Sequence, residues 1–348
     1  MSLRELTACA GVSGFENEVR AYLIRQCKAL ADEVRVDALG NVIAICHATK
    51  PHAKRVMVAA HMDEVGLIVT GVEDSGLIRF APVGGIDPRV MVSKRVIVGE
   101  RHVRGVIGAK AIHLTSAEER KTPLPVKNLY IDIGAADKEA ALKLVEPGDP
   151  VIFDSRYVEF GDGLIKSRAL DDRAGCGMLL SAMEHRYPVE LAAVFTVQEE
   201  IGTRGAKAAA YRLDPDAALV LEGTTCADIA GVKDEQKVTR LGKGPVVGVR
   251  DSSAVHDPRL RAFVLETAAK YGIAVQNREG TFGGTDCGSI QRSRGGVPVA
   301  MMAVATRFIH SPVTVIARTD YEAGCALLAH VLQDMESFLN DKEGDCNE

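Results

Sequence analysis

Acids and histidines recur where strands of this chain should end. His61-Met62-Asp63 follows the apolar run 55–60, Glu199-Glu200 follows 192–197, Glu222 follows 217–221, and His310 lies a few residues beyond 298–304. Asp171-Asp172 heads a small-residue segment, Ala174-Gly175-Cys176-Gly177. Carboxylates crowded at one edge of a sheet need a compensating cation. Neutral imidazole and carboxylate oxygen suit zinc, cobalt or manganese, and two histidines with three carboxylates can fill two neighbouring sites that share one bridging carboxylate. Two ions about 3.5–4 Å apart can hold a bridging water, lower its pKa and polarise a substrate carbonyl, which is hydrolytic chemistry. The reaction also needs a general base that is not a ligand. The doublet Glu199-Glu200 offers one residue for each part, because neighbours leaving a strand point to different sides.

These groups must be gathered by a sheet, and in open α/β sheets the ligand site lies beyond the carboxyl ends of the strands. Buried strands are expected at 55–60, 191–197, 217–221 and 298–304, alternating with helices at 204–211, from the Asp257-Pro258 start to Gly272, and from the Thr319–Glu322 capping box towards Leu339. Ser13-Gly14-Phe15-Glu16 has capping-box spacing and predicts the first helix. Between Val65 and Phe160 the texture changes to short β-rich runs, 66–70, 77–80, 95–98, 129–133 and 150–153, separated by Gly, Pro and charged turns. The pattern predicts an α/β protein: a mainly parallel sheet sandwiched by helices, formed by 1–65 and 161–348 as one discontinuous domain, with a small all-β domain inserted at 66–160. The polar tail 341–348 is expected to fray.

Composition narrows the function. A formal net charge of -5 lacks the basic footprint of a nucleic-acid binder. The N-terminus carries no apolar signal-peptide core, and no uncharged apolar run approaches the ~20 residues of a membrane span, so a cytoplasmic protein is expected. The eight cysteines are scattered singly with no CxxC pair and read as reduced thiols. His47, His52, His102, His113, His185, His256 and His330 lack an acidic strand-end context and read as surface or packing residues. No HExxH, GxSxG, Walker A or GxGxxG motif is present. Should the pocket take an acidic side chain, Arg250, Arg292 and Arg294 are the cations considered.

Four blocks carry a family resemblance: His61-Met62-Asp63-Glu64-Val65-Gly66, Ala169-Leu170-Asp171-Asp172-Arg173, Gln198-Glu199-Glu200-Ile201-Gly202 and Arg307-Phe308-Ile309-His310-Ser311. Together they resemble the M42 metallo-aminopeptidases, which include the tetrahedral TET enzymes and the glutamyl aminopeptidases. The likeness runs in order along nearly the whole chain. It implies a zinc-exopeptidase-like fold and two divalent ions, zinc or cobalt with manganese as an alternative. It implies one ion held by His61, Asp171 and Glu222, and the other by Asp171, Glu200 and His310. By the same likeness Glu199 is the base, Asp63 orients His61, the Asp171–Asp172 peptide is cis, Gly283–Asp286 lies near the substrate, and the β insertion is a dimerisation domain. The implied activity is removal of N-terminal residues from short peptides by a homo-oligomer, a tetrahedral dodecamer built from dimers. Many relatives have Asp where this chain has Glu222.

Two other readings are set beside it. A glucanase would use two carboxylates and no metal, leaving His61 and His310 without a role, and the absence of Trp removes the stacking platforms that sugars favour. A catalytically silent scaffold is the third, against which every implied ligand and the base are present.

Overall fold

The computed structural model describes residues 2–345. Its centre is an eleven-stranded mixed sheet. Glu190–Thr196, Arg55–His61, Ala217–Cys226 and Val299–Arg307 lie side by side in that order and are parallel to one another. Antiparallel strands flank them: Val42–Cys46 and Glu33–Val36 on one side, Thr314–Ala317, Leu164–Ser167 and Val158–Phe160 on the other. The central strands are buried on both faces, which is why they read as continuous apolar runs rather than alternating ones.

Alternate residues of each strand serve different cores. Val56, Val58 and Ala60 join Leu191, Ala193 and Phe195 beneath the helices Asn17–Leu30, Leu170–Ala182 and Arg318–Asp345. Met57 and Ala59 join Ala192 and Val194 against Arg204–Leu213 and Asp286–Gln291 on the opposite face.

Six further strands, Gly66–Val72, Ile78–Val83, Leu129–Asp132, Val103–Ala109, Arg95–Val98 and Pro150–Phe153 in spatial order, close into a barrel with its own core of Leu67, Ile78, Val96, Ile107, Ile131 and Val151. Closure leaves no unpaired edge within the barrel. Sequence patterning indicates five of these strands. Val103–Ala109 escapes it because Gly105 and Gly108 interrupt the run and most of its residues are partly exposed.

Three local expectations are corrected. Ser13 and Glu16 do not form a reciprocal capping box: the helix begins at Asn17, the Ser13 hydroxyl donates to Asp63 instead, and Glu16 Oε1 accepts from the Gly14 N–H. A short helix, Leu3–Ala8, precedes it. The last helix starts at Arg318 and runs to Asp345, so 341–345 continue the helix where fraying was expected, while 346–348 lie outside the described residues. Asp320 of its supposed cap accepts instead from the backbone of Gly242 and Gly244.

A buried knot fixes the end of the strand Arg55–His61. Glu64 is paired with Arg168, and Arg173 Nη2 lies 3.5 Å from the same Glu64 oxygen. Arg173 also donates to the carbonyls of Met62, Leu6 and Cys9, and Arg168 to those of Ala8 and Cys9. The guanidiniums thereby tie the N-terminal helix to the segment that carries His61 and Asp63.

Candidate active site

The parallel strands and their following turns bring the predicted acids and histidines to one sheet edge. His61 is the last residue of Arg55–His61. Glu199 and Glu200 follow Glu190–Thr196. Glu222 lies within the strand Ala217–Cys226 rather than after it, because pairing with Val299–Arg307 continues to Cys226. His310 sits in the turn after Val299–Arg307 with a left-handed backbone, φ 56°. The Asp171–Asp172 peptide is cis.

Asp171 stands between the two histidines. Its Oδ1 lies 3.4 Å from His61 Nε2 and its Oδ2 lies 3.5 Å from His310 Nε2. His61 Nε2 is also 3.5 Å from Glu222 Oε2, and His310 Nε2 is 3.1 Å from Glu200 Oε2. Ligands about 2.0–2.2 Å from a tetrahedral ion are separated by about 3.3–3.6 Å, so the spacings of 3.4 and 3.5 Å fit the edges of two coordination shells with a common carboxylate, and the His310–Glu200 spacing is slightly shorter. Glu222 Oε1, buried and without a hydrogen-bond partner, is a further donor atom aimed at no protein group. The approach is close: a Cβ on Gly223 would lie 2.7 Å from Asp171 Oδ1.

Asp172 is fully buried. Its Oδ1 accepts from the Gly175 N–H at 2.8 Å, capping the regular part of the helix, while its Oδ2 has no partner. It also falls within a group of potential ligands with His61 and Glu222.

The electrostatics call for a cation. Burial pushes Glu222 up to about 8, and burial followed by the Glu222 charge pushes Glu199 well above the ordinary carboxylate range. Burial also works against ionised Asp171, yet bonds to His310 and His61 hold it below its usual value. For His310, burial opposes the charged ring, but Asp171 and Glu200 outweigh it and raise the pKa to about 11. The protein alone thus resolves the crowding by proton sharing, whereas bound divalent ions would let the acids ionise.

Asp63 makes contacts beyond those with His61. The ring's Nδ1 lies 3.1 Å from the Asp63 backbone carbonyl but 3.6 Å from its Oδ1. The carboxylate accepts from the Glu199 N–H, the Glu200 N–H and the Ser13 hydroxyl. Asp228 pairs with Arg307.

A cleft of about 650 Å³ is lined by His61, Asp171, Glu199, Glu200, Glu222 and His310 together with Gly85 of the barrel and Gly283, Gly284 and Thr285. Arg278 lines it too, whereas Arg250, Arg292 and Arg294 are exposed and do not. The Arg278 side chain donates to the Phe282 carbonyl, while its Nε and Nη1 are buried without partners. Sequence patterning missed Arg278 and Ser13 because neither follows one of the apolar runs that mark the central strands; the strand before Arg278 is only Gln276–Asn277. For Arg278 the usable signal was a lone cation just before the glycine-rich Gly280-Thr281-Phe282-Gly283-Gly284 turn.

A family model described as M42 glutamyl aminopeptidase matches residues 40–327. The chain is 31% identical to a glutamyl aminopeptidase of Lactococcus lactis, with 96% of each chain covered. It is 30% identical, over the same shares, to a lysyl aminopeptidase of Pyrococcus furiosus. Among solved structures it is similar to a Pyrococcus horikoshii TET1 peptidase described as assembling into a tetrahedron or a large octahedral shell: TM-score 0.83, 36% identity, 95% of this chain and 98% of that one covered.

Proposed function

The chain belongs to the M42 family of aminopeptidases, and on that premise we propose that it removes N-terminal residues from short peptides with two divalent ions and Glu199 as general base. The observation that carries this reading is Asp171, whose two oxygens face His61 and His310 at 3.4 and 3.5 Å.

His61, Asp171 and Glu222 would hold one ion, and Asp171, Glu200 and His310 the other. Zinc and cobalt suit this ligand set best, with manganese as an alternative. When bound, such a pair lowers the pKa of a shared water and polarises the scissile carbonyl. Glu199 accepts the proton released as that water attacks, and returns it to the departing amine nitrogen. Asp63 keeps Glu199 and Glu200 aimed by gripping their backbone N–H groups. The cleft's carboxylates favour the α-ammonium of a peptide N-terminus.

Relatives named for glutamyl and for lysyl substrates are about equally similar, so identity does not choose between them. Arg278 supports a preference for an acidic N-terminal side chain, whose carboxylate could take up its free nitrogens if the 280–284 turn releases its carbonyl contact. The barrel at 66–160 is proposed to join subunits into dimers, and the dimers are proposed to assemble into a tetrahedral dodecamer, in line with the TET1 relative.

The test is hydrolysis of a panel of amino-acid anilides by purified protein, with and without EDTA and with zinc, cobalt or manganese restored. Metal-dependent release, strongest for acidic residues, is expected. Chelator-insensitive hydrolysis of cellulose without anilide cleavage would overturn the reading.

A further inference from the structure

Behind the cleft wall lies a second group of potential ligands that shares no residue with the first: Asp251, His256 and Cys287, whose donor atoms all lie within 4.8 Å of one another. Asp251 opens a tight bend, where its Oδ1 accepts from the Ser253 and Ala254 N–H groups at 2.6 and 2.8 Å. Its Oδ2 accepts from Thr285 Oγ1 at 2.6 Å and faces His256 Nε2 at 3.9 Å. Cys287 is a free, fully buried thiol in the first turn of the helix that Thr285 caps.

His256 is the informative member. Its side chain is completely buried, yet neither Nδ1 nor Nε2 has a hydrogen-bond partner. Buried polar groups are nearly always satisfied, and a ring with both nitrogens unpaired between a carboxylate and a thiol calls for a partner. One nitrogen, one oxygen and one sulfur donor make a zinc-type set, while the thiolate disfavours magnesium and calcium.

We propose that Asp251, His256 and Cys287 form a third, structural metal site, selective for zinc-like ions, that pins the substrate-side turn 283–286 to the bend 251–256. Binding replaces the thiol proton with the metal–sulfur bond and releases that proton, with no change of oxidation state. Thr285 connects this site to the cleft: it lines the cleft while its hydroxyl bonds Asp251. The inference does not depend on the catalytic assignment, since the candidate catalytic ligands contain no cysteine.

The test substitutes cobalt(II) into the full-length protein. A near-ultraviolet thiolate-to-cobalt charge-transfer band is expected in the unaltered protein. Cys287→Ala should abolish it and lower bound metal by one ion per chain, whereas Glu222→Gln should leave the band in place. X-ray absorption at the zinc edge of the unaltered zinc-loaded protein, which needs no variant to fold, should show a sulfur neighbour at about 2.3 Å. Absence of both the band and the sulfur neighbour, equal metal content in the unaltered protein and Cys287→Ala, or loss of the band in Glu222→Gln would each overturn the proposal.

Discussion

Asp63 holds Glu199 by its backbone: Oδ1 accepts from the Glu199 N–H at 3.0 Å while Oδ2 accepts from the Glu200 N–H at 3.2 Å. One buried carboxylate therefore sets the direction of the proposed base and of a proposed ligand, and its own backbone carbonyl lies 3.1 Å from His61 Nδ1. Asp63→Asn keeps the shape but turns one acceptor into a donor that faces another donor. Partners of this kind are worth about 10–100-fold in metal affinity or activity. We expect a loss of that size in kcat, with a folded protein by circular dichroism; unchanged kcat and metal affinity would remove Asp63 from the machinery.

Glu199→Gln should separate chemistry from metal binding. It removes the proton acceptor but no proposed ligand, so turnover should fall by about 10²–10⁴-fold while the metal count per chain stays at that of the unaltered protein. A variant that keeps its rate would transfer the base role to another group.

Arg278→Ala should act on specificity. A hydrogen bond to a charged group contributes about 1.5–3 kcal/mol, which corresponds to roughly 10–150-fold in kcat/KM for a glutamyl anilide. Alanyl and leucyl anilides should change much less. Equal losses on all substrates would assign Arg278 to the fold instead.

The Glu64 knot is predicted to matter for stability. Glu64→Gln leaves Arg168 and Arg173 buried without their counter-charge, and breaking a buried pair costs about 3–5 kcal/mol. Glu336→Gln at the exposed Lys50–Glu336 pair should cost no more than about 1 kcal/mol. Thermal or urea unfolding of the two variants side by side checks the contrast.

Strand-end chemistry was legible because it is local. His61, Glu200 and His310 each lie at or just past a run that can only be a buried strand, and parallel pairing then brings those ends together. Glu222 was found by the same logic, although its strand continues past it. What depended on distant contacts stayed hidden. Ser13 has the spacing of a helix cap, but Asp63, fifty positions along, offers its hydroxyl a buried charged acceptor. Arg278 and His256 are distinguished only in the structure, by buried nitrogens without hydrogen-bond partners: Nε and Nη1 of Arg278 and both ring nitrogens of His256. The strand Val103–Ala109 was lost because its glycines blur the alternation that barrel closure does not require.

The shared carboxylate can be tested by counting metal in Asp171→Ala against the unaltered protein after passage over a competing chelator, with anilide hydrolysis measured on the same samples. If Asp171 bridges two ions, the folded variant should lose two ions per chain and its peptidase activity together. Loss of one ion or none, or hydrolysis that persists in the variant, would contradict a two-metal site built on Asp171.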